Sequence, residues 1–76
     1  MTSSQIDDAV LRVAQPSWRK VAMIIVKTVD RLGSELPEGD GGHHLVAQRI
    51  EALVSAGRLI AQGDISLWRH SEVRLP

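Results

Sequence analysis

The chain has 76 residues and a mass of 8.3 kDa, enough for one small domain over residues 1–76. Nine Lys and Arg balance nine Asp and Glu, so the formal net charge is zero, which excludes a strongly basic nucleic-acid module and an acidic tail. There is no Cys, which removes disulfides, thiolate metal sites and cysteine nucleophiles, and a hydrophobic share of 43% is globular composition rather than disorder.

The core has to be aliphatic, because Trp18 and Trp68 are the only large aromatics and there is no Phe or Tyr. Thin cores of this kind gain stability by association with a second copy or a partner. The polar stretch Met1 to Leu11, with Asp7 and Asp8, lacks the apolar segment of a signal peptide. The longest apolar run, Val21 to Val26, falls far short of the roughly 20 residues that span a bilayer. The expectation is a soluble, cytoplasmic protein with no membrane partner.

In chain order, Ser4 and Asp7 form a variant capping box, and Ile6, Ala9, Val10 and Val13 recur at helical spacing. They predict a first helix from about Gln5 to Ala14, stopped by Pro16. A second helix is predicted from Pro16 or Ser17 onward. Trp18, Val21, Ala22, Ile25, Val29 and Leu32 fall at i, i+3, i+4, i+7, i+11 and i+14, a single stripe, and Gly33 stands where a C-terminal cap belongs. Gly33 to Gly42 reads as loop, with Pro37, four glycines and the acids Glu35, Glu38 and Asp40. Asp40 is the expected N-cap of a third helix running to about Ala56, with Val46, Ile50, Leu53 and Val54 on its buried face and Gly57 at its end. Beyond it, Arg58 to Gln62 and Ser71 to Leu75 read as two strands joined through a turn at Gly63-Asp64. The predicted class is α+β, mostly α: three helices followed by a C-terminal β-hairpin.

The stretch 45–60, LVAQRIEALVSAGRLI, resembles the third helix and first wing strand of winged-helix domains. Gly63-Asp64 and the SEVRL segment at 71–75 extend the likeness through the wing. More narrowly, WRKV at 18–21 and QRIEAL at 48–53 together with Gly63-Asp64 resemble an uncharacterised bacterial family, in which a winged-helix-like segment follows a larger domain of unknown function. The resemblance covers roughly Trp18 to Leu75 and implies a fold but no activity. A DNA-reading winged helix also places a short helix before its recognition helix, and the Gly, Pro and acidic residues of 33–42 are unsuited to forming one.

Candidate sites divide by chemistry. Gln48 and Arg49 on the third helix are able to read base edges, with Arg58, Arg69 and Arg74 as phosphate contacts. Glu35, Glu38 and Asp40 before that helix, and Glu51 on it, would repel a phosphate backbone. The cations Arg19, Lys20, Lys27 and Arg31 on the second helix read as a solvated face interrupted by Asp30. His43 and His44 point about 100° apart on a helix, and Asp40 with His44 gives only two ligands, too few for a closed zinc site. The Gly39–Gly42 loop lacks the Lys and Ser or Thr of a phosphate loop. No nucleophile elbow or spaced triad is present, and a domain of this size has little room to surround a substrate. Neither metal, cofactor nor small-molecule substrate is expected, and an enzyme is not. Trp68, with Leu67 and Arg69 beside it and Ile65 nearby, reads either as a lid on the core edge or as an exposed interface anchor. The first expectation is therefore a non-enzymatic protein-interaction or self-association module whose contact is Leu67, Trp68 and Arg69. The alternative is a small winged-helix DNA-binding regulator.

Overall fold

A computed structural model of the chain describes residues 2–37 and 39–76, together with the backbone but not the side chain of Asp40; Glu38, one of the acids expected to flank the third helix, lies outside the described residues. The elements run α1 (Ser3–Val13), β1 (Arg19–Lys20), α2 (Val21–Leu32), α3 (Asp40–Ser55), β2 (Ile60–Gln62) and β3 (Glu72–Arg74), with single 3-10 turns at Gly33–Glu35 and Trp68–His70. The α+β, mostly α class holds, and the C-terminal hairpin is joined by a third strand. The antiparallel sheet has the order β1-β3-β2.

The first helix starts two residues earlier than its sequence pattern suggests. Thr2, not Ser4, is the N-cap: its side chain accepts from the Gln5 amide while the Gln5 side chain accepts from the Thr2 amide, a complete capping box. Asp7, freed from capping, is used elsewhere. The helix presents Ile6, Ala9 and Val10 to the core.

The larger correction concerns the start of α2. The chain between Gln15 and Val21 is extended, and Trp18 lies outside the helix, 36% exposed as a residue, rather than heading a buried stripe. The cause is tertiary. Leu75 N–H donates to Gln15 O, Arg19 and Lys20 pair with Val73 and Glu72, and Val21 N–H donates to Ser71 O. The free edge of β3 offers this segment a continuous run of backbone partners, which outweighs a helical pattern of side chains. Only from Val21 does the helix begin, burying Val21, Ile24, Ile25 and Thr28. It ends as expected at Gly33, whose φ of 57° suits glycine and whose amide donates to Val29 O.

Between α2 and α3 the 3-10 turn leads to Leu36, which is buried, and to Pro37. Gly42 is required by close approach, since a Cβ there would stand 2.9 Å from the Pro37 carbonyl. Gly39 is the N-cap of α3, and Asp40 is its first residue rather than its cap. The far end of α3 closes in a Schellman arrangement: Gly57 N–H donates to Val54 O and Arg58 N–H to Leu53 O, with φ of 78° at Gly57. This delivers Leu59 into the core, so the first hairpin strand begins at Ile60 rather than Arg58. The second covers Glu72–Arg74.

The core gathers one aliphatic face from each helix, with Leu36, Leu59 and Val73 closing it. Thr28 is fully buried among these groups, and its hydroxyl has no hydrogen-bond partner among the described residues. Thr28→Val removes that hydroxyl at nearly constant shape, and denaturant unfolding should show a gain of about 1 kcal/mol. Two glycine substitutions separate backbone strain from steric overlap. Gly57→Ala, whose new Cβ meets nothing within 4 Å, should cost about 1–2 kcal/mol from positive φ alone. Gly63→Ala, whose Cβ would lie 2.7 Å from His70 O at φ +80°, should cost about 2–4 kcal/mol in the same measurement.

Candidate interaction surface

Two surfaces carry the residues singled out in the sequence, and they differ in chemistry. The first is the outer face of α3. Its exposed positions are Gly41, His44, Gln48, Glu51 and Ser55, spaced three and four apart, so among the described side chains this face carries one carboxylate and no Lys or Arg. Arg49, the sole Lys or Arg of the helix, does not face outward freely. Its Nε and Nη2 donate to Asp7 Oδ1 and Oδ2 at 2.8 and 2.9 Å, a bidentate pair that ties α3 to α1. The hydrogen bond to Asp7 holds the guanidinium pKa above its usual value. Gln48 and Arg58 remain exposed.

Arg74 is also engaged internally. It is half-buried on β3, its guanidinium lies 5.2 Å from the centre of the Trp18 ring, and it donates to Leu75 O. Arg69 is exposed on the turn between β2 and β3. Of the five residues able to contact nucleic acid, two are thus held in contacts within the chain. His43 is half-buried, and its Nδ1 has no partner among the described residues.

The second surface is the segment from Gly63 to Ser71, which folds back on the domain. The Asp64 carboxylate accepts from the Ser66 amide and hydroxyl at 3.0 and 2.6 Å, and Leu67 N–H donates to Asp64 O. Ser71 Oγ donates to Leu67 O, and Lys20 Nζ donates to Arg69 O at 3.1 Å from across the sheet. These bonds fix a turn that displays Leu67, 52% exposed, while Trp68 is half-buried against the core. The Trp68 ring meets the His44 ring edge-on at 5.2 Å between centres, which links the turn to the first half of α3. Trp68 packs against the core and also lines a shallow depression with Ser66, Leu67, Arg69 and His70. Ile65 is half-buried beside it.

A third surface departs from the reading of Met23, Ile24 and Val26 as a widening of the apolar face toward neighbours on two sides, because only Ile24 of the three is buried. On the outside of α2, Met23 and Val26 are each about half exposed, in a groove completed by Lys20, Ala22, Lys27 and Asp30. The apolar run Val21–Val26 was itself the signal. A helix with this many apolar residues in succession cannot bury all of them on one side.

Comparison with protein-family models, with curated proteins and with solved structures finds no match for this chain.

The Ser66 bonds depress the Asp64 pKa below the ordinary carboxylate value of 3.8. A depressed carboxylate contributes stability above its unfolded-state pKa and loses it as pH falls through the folded one. Amide exchange at Ser66 should therefore stay protected at neutral pH and rise selectively below about pH 4, relative to the amides of α3. Asp64→Ala should show the acid level of protection already at neutral pH.

Proposed function

We propose that the chain is a non-enzymatic protein-interaction module of winged-helix-like build, whose contact surface is the turn carrying Leu67, Trp68 and Arg69. The observation that carries this reading is the contrast between the two surfaces. The outer face of α3 carries no Lys or Arg among the described residues, its one Arg being paired with Asp7, whereas Leu67 stands out from a turn fixed by six hydrogen bonds. A preformed turn loses little conformational entropy on binding, and a half-buried Trp beside an exposed Leu and an Arg rim has the make-up of a binding hot spot. The resemblance to winged-helix domains is supported by a strand between the first and second helices and by the sheet order β1-β3-β2.

A specific observation favours DNA binding as the second reading. The helices α2 and α3 follow one another across the Gly33–Glu35 turn, giving two consecutive helices before the hairpin, and Gln48, Arg58 and Arg69 stay exposed.

The two readings separate in a paired experiment. Wild-type protein should capture a protein partner that Leu67→Asp, folded by circular dichroism, no longer holds. Trp fluorescence should stay flat when short duplex DNA is titrated in at about 50 mM and 200 mM salt. Saturable DNA binding that weakens steeply with salt would overturn the first reading in favour of the second. Undiminished capture by Leu67→Asp would move the protein contact away from this turn.

A further inference from the structure

The outer face of α2 is self-complementary, and we infer that it is the interface of an antiparallel, two-fold homodimer. This surface touches the Leu67–Arg69 turn only through the Lys20 bond to Arg69 O, and the inference does not depend on the role proposed for that turn. Met23, Val26 and Asp30, spaced three and four apart, lie on the side of α2 opposite the buried Val21, Ile24, Ile25 and Thr28, and Arg19 and Lys20 precede the helix in β1. The two inner positions, Met23 and Val26, are apolar and 48% and 49% exposed. The outer ones are charged and of opposite sign: Arg19, with Lys20 beside it, at the start, and Asp30 at the end. Lys20, Met23, Val26 and Asp30 line one groove, and Arg19 lines the adjoining depression with Met23 and Lys27.

The charge order selects the occupant and its direction. A second copy laid parallel would set Lys20 on Lys20 and Asp30 on Asp30, which is repulsive at both ends. Laid antiparallel about a two-fold axis midway between Met23 and Val26, each Met23 meets the partner copy's Val26. Each Lys20, the N-cap just before the first turn of α2, then approaches the other copy's Asp30, which at 1.5 Å per residue lies about 8 Å from the axis near the opposite end. The gap between them is closed by the reach of a Lys side chain, whose Nζ keeps donors to spare beyond its bond to Arg69 O. Lys27 faces the partner copy's Ala22, a small residue over which its aliphatic stem can lie. Asp30, Arg19 and Lys27 have no ion-pair partner within the chain among the described residues, so the pairing breaks nothing already made. Four central side chains make a small interface, so the dimer forms at high rather than low micromolar concentration.

Sedimentation of the full chain from about 10 µM to about 1 mM tests this directly, a range that brackets weak association. Wild type should pass from monomer to dimer. Asp30→Lys and Lys20→Asp, each exposed and each checked for fold by circular dichroism, should weaken dimerisation at least about tenfold, because each creates like charges twice over. The decisive sample is the equimolar mixture of those two variants. Both contacts are attractive in the mixed pair, so association should return to near the wild-type level. Met23→Glu should abolish it, and Leu67→Asp should leave it intact. A wild type that is monomeric throughout, or a mixture no tighter than its components, would overturn the inference. So would loss of association in Leu67→Asp but not in Met23→Glu, which would place the contact on the turn.

Discussion

The return of β3 between two other strands is the constraint on which the rest of the molecule depends. Val73, fully buried at its centre, pairs with Arg19 on one side and Ala61 on the other. A strand in this position satisfies backbone groups along both edges, and it plugs the bottom of a core that has no Phe or Tyr to fill it. Pairing along its first edge draws residues 15–21 out of helix, and pairing along its second aligns the hairpin. Ser71, the residue before it, accepts from Val21 N–H and donates to Leu67 O, so the display of Leu67 and Trp68 follows from where β3 lies.

A neutral chain can spend its cations inside or leave them outside, and this one divides them. Arg49 braces α3 against α1 through Asp7, Arg74 covers Trp18, and Lys20 reaches across the sheet to the Arg69 carbonyl. Each contact joins elements far apart in sequence, where a small aliphatic core leaves the periphery underfilled. The helix that periodicity marks out as a reader of other molecules is left with His44, Gln48, Glu51 and Ser55, while apolar side chains emerge on α2 and on the turn before β3. That composition is the ground on which a protein partner, rather than a polyanion, is proposed.

How far the sequence disclosed this depended on whether the deciding contact was local. The extent of α3, the glycine stops at Gly33 and Gly57 and the hairpin were legible because caps, periodicity and turn residues act within a few positions. The start of α2 was not. Trp18, Val21, Ala22 and Ile25 continue one helical stripe without interruption, and what ends it at Val21 is a strand near the other end of the chain. Arg49 was misjudged for the same reason: its place on the helix wheel turns it outward, and only the packing of α1 against α3 brings Asp7 within 2.8 Å. Thr2 and Gln5 did carry a capping box in plain view, in competition with the equally spaced Ser4 and Asp7. Trp68 could not be settled locally, because its partner is a histidine ring on another helix.

The pairing of β1 with β3 also sets the order in which the domain can assemble. The three helices and the β2–β3 hairpin form through contacts between near neighbours, on timescales of microseconds for such elements. Joining Arg19 to Val73 requires most of the chain to be closed into a loop before any backbone bond repays it. A mostly helical protein thereby acquires the non-local contact that slows folding in β-rich ones. The two-residue edge strand therefore carries the largest loop-closure cost of the sheet for the fewest backbone bonds. Were that edge to open, Ser17–Lys20 would be released from β3 and could continue the helical stripe that begins at Trp18.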